Sequence, residues 1–229
     1  MDHRASNKLD PIAVEVIRNK LEGIANEMQH SLLRSAFSPI VKEGLDASAS
    51  LFTLDGETLA QSIAIPIHLG TLIPIVGEIL KRNPIETLAD GDIFIMNDPY
   101  LGGTHLPDIA LVVPIFADGR ALGLSAAMVH HQDVGGMTPG SVPTNATEIF
   151  QEGIRIPPLK LASAGNEVWV FLSFTNSIPT SNPIPRTSPM ISWSSCKLFN
   201  CASMYSPTFS EFSTRFSFSI ISMLAKATA

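Results

Sequence analysis

Cysteine is nearly absent from this 229-residue chain: Cys196 and Cys201 are the only two, and they lie close together near the C-terminal end. That supplies neither a disulfide framework nor a paired zinc-ligand spacing. Basic charge is also scarce. Fifteen Lys and Arg stand against 21 Asp and Glu, a formal net charge of −6, and no basic face is visible; nucleic acid and anionic membrane surfaces are therefore poor partners. The longest strictly apolar runs, such as Ile109 to Ala117, are about half of the roughly 20 residues that cross a bilayer. The first residues, Met-Asp-His-Arg-Ala-Ser, lack the apolar core of a secretory signal. A soluble, cytoplasmic protein is expected.

Glycine is missing from one end only. All 15 glycines lie at or before Gly165, whereas a usage of about 7% would place four or five in the last 64 residues. Residues 171–229 hold 14 serines and seven of the 12 phenylalanines, with Glu211 as the only acidic residue. The stretch is too apolar for a solvated linker, and its serines and prolines break almost every helix or strand period. The expected organisation is residues 1–170 as one domain and 171–229 as a Ser/Phe-rich tail that is out of frame or disordered, with a docking segment as the third reading. Translating the underlying DNA in the other two frames from Val170 onward tests this; finding no long open frame with normal glycine and acid content removes the frameshift reading.

The first 170 residues have ordinary patterning. Asp10-Pro11 predicts a helix start, since Asp caps free amides and Pro suits the first helical position. Ile12, Val16, Ile17, Leu21, Ile24, Met28 and Leu32 then recur at helical spacing. His30 reads as a solvated residue near the helix end. Asp55-Gly56 predicts a tight hairpin turn between Ala49–Leu54 and Glu57–Ser62, with Asp46 just ahead of the first strand. A second helix is predicted from Thr71, with Pro74 in its first turn and Lys81-Arg82 at its end. His68, between Pro66 and Gly70, has no partner nearby in sequence. Asp92 to Met96 is a short strand, Tyr100 to Pro107 a shaped loop, and Ile109 to Phe116 a strand without alternation, hence covered on both faces. Asp118-Gly119 turns it into Leu122 to Val129, and Gln132 to Glu148 is an irregular loop.

This hairpin carries the polar residues. With a two-residue loop at Asp118-Gly119, Ala117 pairs with Arg120 and His130 falls opposite Pro107. With a three-residue loop and a bulge, His130 faces Asp108. Either register gathers His105, Asp108 and His130 at the open end, where neighbouring strands about 4.8 Å apart let side chains share an ion. Imidazole with carboxylate suits manganese, zinc or iron better than calcium. The alternative is structural: Asp98 caps a turn, Asp108 starts a strand, and His130 and His131 point to opposite faces.

Several motifs occur together and in order: Asp10-Pro11-Ile12, Glu43-x-x-Asp46-x-Ser48, Ile67-His68-Leu69-Gly70, Asn97-Asp98-Pro99-Tyr100-x-Gly-Gly-Thr-His105-x-x-Asp108, His130-His131-x-Asp133-x-Gly-Gly and Gln151-Glu152-Gly153-x-Arg155-x-Pro-Pro. Over residues 10 to 170 the chain resembles the hydantoinase B/oxoprolinase family, which includes the B-type polypeptide of N-methylhydantoinase, the C-terminal half of 5-oxoprolinase and a subunit of acetone carboxylase. The resemblance implies a divalent metal held by Asp46, His105, Asp108 and His130. It implies Asp133 and Glu152 as general base or as groups orienting a histidine, and Asn97, Asp98 and His131 as supports. It also implies an ATP-binding partner subunit of the hydantoinase A type, which phosphorylates the carbonyl oxygen of a small cyclic amide so that water can open the ring. Nothing after Phe171 resembles the several hundred further residues of family members, so a truncated domain is expected. The expected architecture is α+β: a long N-terminal helix, hairpins and a mostly antiparallel sheet with the metal at one sheet end. An acetone-carboxylase-like carboxylase subunit and an inactive fragment or interaction module are the competing functions.

Overall fold

The structure, a computed structural model, describes residues 10–167. The tail at 171–229, with Cys196 and Cys201, lies outside the described residues. Helix α1 (Pro11–Ser35) starts with its cap in place: Asp10 Oδ1 accepts the Ile12 amide at 3.0 Å and Pro11 occupies the first helical position. Only its C-terminal half is covered. Ile24, Ala25 and Met28 pack on sheet residues Ala49, Leu51, Ala60 and Ile115, whereas Ile12, Val16 and Ile17 are 74%, 48% and 48% exposed. The apolar stripe is a helical period as expected, but its first turns run past the sheet. His30 is exposed.

After a single turn of helix, α2 (Pro39–Lys42), come strands β1 (Ala47–Phe52) and β2 (Thr58–Gln61), helix α3 (Pro66–Arg82), and strands β3 (Ile93–Met96), β4 (Asp108–Ala117), β5 (Arg120–His130), β6 (Leu159–Ser163) and β7 (Asn166–Glu167). The strands form one sheet in the order β2-β1-β5-β4-β3-β6-β7. Every pairing among the described residues is antiparallel, which makes this an α+β fold. No helix among them is long and apolar enough to cross a membrane.

Side-chain alternation assigns the two faces. Phe52, Phe94, Met96, Ala110, Val112, Leu124, Ala126 and Met128 point toward α3 and bury Leu72, Ile75, Val76 and Ile79; each of these side chains other than the two alanines contributes roughly 1.5–3 kcal/mol. The other face is covered by α1 at one end and by loop residues Leu106, Val134 and Ile156 packed on Ile95 and Ile109 at the other. The central strands are therefore covered on both sides, as the unbroken apolar run in β4 indicates.

Three local features differ from the sequence reading. Helix α3 begins at Pro66, five residues before Thr71, so His68 lies in its first turn and Pro74 lies inside the helix. Pro66 and Gly70 look like loop punctuation, yet Pro is well suited to the first helical position. At the β1–β2 turn Gly56 has φ +84° while Asp55 does not adopt positive φ, and Thr53 and Glu57 close a longer loop through the Thr53 amide and the Glu57 carbonyl. The third concerns β4–β5. Its loop has two residues, with Asp118 and Gly119 at φ 50° and 72°, and Ala117 pairs with Arg120. A bulge nevertheless follows, Phe116 pairing with Ala121 but Ile115 with Gly123, so that Asp108 faces His130. The short loop and the shifted register coexist because Leu122 is left out of the ladder.

Asp92 pins the far end of the sheet. Fully buried, it accepts hydrogen bonds from the Ala89 and Ala164 amides, both at 3.0 Å, and from Lys160 Nζ at 2.8 Å. Burial pushes its carboxyl up, but Lys160 and the two amides outweigh this and hold it below its ordinary value. A depressed folded-state value means that the stabilisation is present above the unfolded pKa of about 3.9 and is lost as pH falls through the lower folded value. Asp92→Asn is therefore expected to cost about 2 kcal/mol at pH 7 and much less near pH 2. Urea unfolding at the two pH values checks this; an equal deficit at both refutes the ionic role.

Candidate metal centre

Three adjacent strands bring the site together. Asp108 is the first residue of β4, His130 the last of β5, and Asp46 immediately precedes β1. Asp108 pairs with His130, and the His130 amide donates to the Asp46 carbonyl at 3.2 Å. Directly opposed residues share a face, so the three side chains form a row at the sheet end, on the side covered by α3. His105 joins from the preceding loop, where its carbonyl accepts the Asp108 amide at 3.0 Å. Gly102 shapes that loop: its φ is +112°, and a Cβ there would lie 2.8 Å from Pro74 Cβ on α3.

The side chains converge closely. His105 Nε2 and His130 Nδ1 lie 3.1 Å apart, and Asp108 Oδ1 is 3.1 Å from the first and 3.0 Å from the second. Asp46 Oδ2 is 3.8 Å from His130 Nδ1. Asp108 Oδ2 accepts from Thr104 Oγ1. His68, from the first turn of α3, places Nε2 at 3.2 Å from Asp108 Oδ2 and 3.4 Å from Asp46 Oδ1.

Charge is unevenly distributed. Asp108 is 3% exposed; burial pushes its carboxyl up, but His105, His130, His68 and Thr104 together hold it well below the carboxylate range. Its hydrogen bond to His105 raises that imidazole, against the opposing effect of burial, with further help from the charges of Asp108, Asp46 and Glu152. Burial and the neighbouring His130 push His131 down to about 4, so it is neutral at pH 7. Its backbone amide donates to the Pro107 carbonyl at 2.8 Å, just beyond the end of β5.

The remaining candidates play different parts. Glu152 stands near enough to influence His105, held there by close backbone packing: a Cβ at Gly136 would come 2.6 Å from the Glu152 carbonyl oxygen. Asp133 turns into its own loop, accepting from the Gly135 and Gly140 amides at 2.8 and 3.1 Å and from Ser141 Oγ at 2.9 Å. Those three donors hold its carboxyl low. Asp98 caps the short turn at Pro99–Leu101 through the Tyr100 amide and lies 3.5 Å from Arg155 Nε. Buried Asn97 ties the loops together: its Nδ2 donates to the Leu106 and Ile154 carbonyls at 2.7 and 2.9 Å, and its Oδ1 accepts the Ile156 amide at 2.6 Å. Among the described residues His68 and Thr104 touch the cluster without a role in the sequence reading, and His68 is the imidazole of the two. Its place in the Ile67-His68-Leu69-Gly70 motif and the proline two residues before it are the available signals.

Comparison with known proteins identifies the family. The profile described as Hydantoinase B/oxoprolinase matches residues 10–180. The uncharacterized protein MJ0963 of Methanocaldococcus jannaschii is 43% identical over 160 residues, which cover 69% of this chain and 28% of that protein. 5-Oxoprolinase 1 of Arabidopsis thaliana is 36% identical over 187 residues, covering 80% of this chain and 15% of that one. Two solved structures are similar: an acetone carboxylase in nucleotide-free form, with TM-score 0.62 and 27% identity over 70% of this chain and 21% of that one, and an ATP-dependent caprolactamase from Pseudomonas jessenii, with TM-score 0.61 and 34% identity over 70% and 28%. The chain thus spans less than a third of the length of each of these proteins. With the profile matched over most of its length, the chain belongs to the hydantoinase B/oxoprolinase family.

Proposed function

We propose that this chain is the metal-bearing part of a cytoplasmic, ATP-dependent cyclic amidohydrolase, opening a ring of the hydantoin or 5-oxoproline type together with an ATP-binding subunit of the hydantoinase A type. The observation that carries it is the triangle of His105 Nε2, His130 Nδ1 and Asp108 Oδ1, with sides of 3.0–3.1 Å. Ligands at about 2.1 Å and at right angles around an ion are separated by about 3.0 Å, so the donor set fits a six-coordinate divalent ion with open positions. Manganese, iron and zinc all accept such imidazole and carboxylate donors.

Asp46, His105, Asp108 and His130 would hold the ion. When bound, it would supply a Lewis acid and a water of lowered pKa. Glu152, whose charge acts on His105, would take a proton from attacking water. Asp133 would serve by shaping the loop that faces Glu152. Phosphorylation of the amide oxygen belongs to the partner subunit.

The similarity to acetone carboxylase favours a carboxylase as the second reading. Reconstitution with manganese, iron or zinc followed by metal analysis is the test. About one ion per chain is expected, and less than about 0.1 overturns the metal reading and leaves an inactive fragment. With the partner subunit present, ATP consumption on hydantoin or 5-oxoproline supports the amidohydrolase, whereas ATP consumption on acetone with bicarbonate supports the carboxylase.

A further inference from the structure

His68 touches the cluster but lies outside the His105–Asp108–His130 triangle. Its Nε2 faces one oxygen of each carboxylate, Asp46 Oδ1 at 3.4 Å and Asp108 Oδ2 at 3.2 Å. The other oxygen of each, Asp46 Oδ2 and Asp108 Oδ1, is the one directed at His130. Each carboxylate is thus divided, one oxygen toward His68 and one toward the triangle. The ring is 3% exposed, and its Nδ1 is buried without a hydrogen-bond partner. Asp46 Oδ1 is likewise a buried acceptor without a hydrogen-bond partner.

The proton of a neutral imidazole has two possible positions. On Nδ1 it would be a buried donor without an acceptor, and the Nε2 lone pair would face two anions. On Nε2 it meets Asp108 Oδ2 at 3.2 Å and lies 3.4 Å from the otherwise unpaired Asp46 Oδ1, so this tautomer is favoured. The ring is anchored by α3, whose Leu72 and Ile75, four and seven residues on, are fully buried in the core.

We propose that His68 is a positioning residue that clasps Asp46 and Asp108 through Nε2–H and so directs their opposite oxygens toward the ion. This rests on the metal reading above. A donor behind a ligating carboxylate fixes its orientation, and loss of such a donor weakens metal binding about 10–100-fold.

The test uses the full chain, Mn(II) as probe and the variants His68→Ala and His68→Gln, whose amide nitrogen reaches the Nε2 position. Calorimetry on H68A is expected to show affinity lowered about 10–100-fold, with H68Q restoring most of it. Pulsed electron paramagnetic resonance is expected to show couplings from two imidazole nitrogens, those of His105 and His130, in both wild type and H68Q. Unchanged affinity in H68A, failure of H68Q to recover it, or loss of one nitrogen coupling in H68Q overturns the proposal, the last by making His68 a ligand. If H68A does not fold, H68Q and wild type decide. If the wild-type chain binds no ion, the metal reading falls, and the nitrogen spectrum of the metal-free protein still judges His68: protonation at Nε2 supports the clasp and protonation at Nδ1 overturns it.

Discussion

Asp108→Asn is expected to lower Mn(II) affinity by at least about 100-fold, more than the loss of an outer-shell partner costs. Asp108 is used on both sides. Oδ1 is a corner of the donor triangle, and Oδ2 receives His68 and Thr104. An amide of the same shape removes one of the two negative charges among the four proposed ligands. It also turns N–H donors either toward the imidazoles or toward the Thr104 hydroxyl, which already donates. Equilibrium dialysis measures the affinity and circular dichroism verifies that the chain is folded. A folded D108N that still binds Mn(II) within about tenfold of wild type would show that the convergence of these side chains is not a metal site.

The second large effect is on stability. Asn97→Leu removes a buried amide that serves two carbonyls and one backbone amide, those of Leu106, Ile154 and Ile156. Leaving buried polar groups unpaired costs about 1–3 kcal/mol each, and the backbone of these loops can recover some of that by admitting water. A net loss of about 3–5 kcal/mol corresponds to a melting temperature roughly 10 °C lower for a domain of this size. Leu106 is fully buried in the cluster that packs the loop containing His105, so metal affinity should fall with stability. Thermal unfolding with and without Mn(II) measures both; a shift below about 3 °C would mean that the three loops are held elsewhere.

The contributions that sequence can and cannot make follow from the range of each interaction. The cap at Asp10 and the turn at Asp118-Gly119 are settled by neighbours in the chain, and both occur where local chemistry places them. The meeting of Asp108 with His130 depends only on counting along one hairpin, and the sequence reaches it apart from the choice between two registers. Asp46 rests on the family resemblance, since no local pattern joins it to a strand end 84 residues later. His68 requires knowing that α3 starts at Pro66 and crosses above three strand ends, which is tertiary information. The exposed Ile12, Val16 and Ile17 show the same limit in reverse: helical spacing identifies the apolar stripe but not how far the sheet extends beneath it. For Asp133 the family resemblance implies acid–base work or orientation of a histidine; its carboxylate accepts from three donors two, seven and eight residues on, a loop geometry that the sequence does not announce.

The bulge at Leu122 has a meaning for how such a hairpin can change by descent. It stores one residue that the ladder does not use. Deleting Leu122 would regularise the pairing and leave His130 across from Asp108. A residue inserted between 109 and 129 without a second bulge would instead exchange the faces of everything beyond it, sending His130 away from Asp46 and Asp108 though no proposed ligand had been substituted. For this part of the fold, small gaps in an alignment carry more consequence than many substitutions, and their effect depends on whether the spare residue absorbs them.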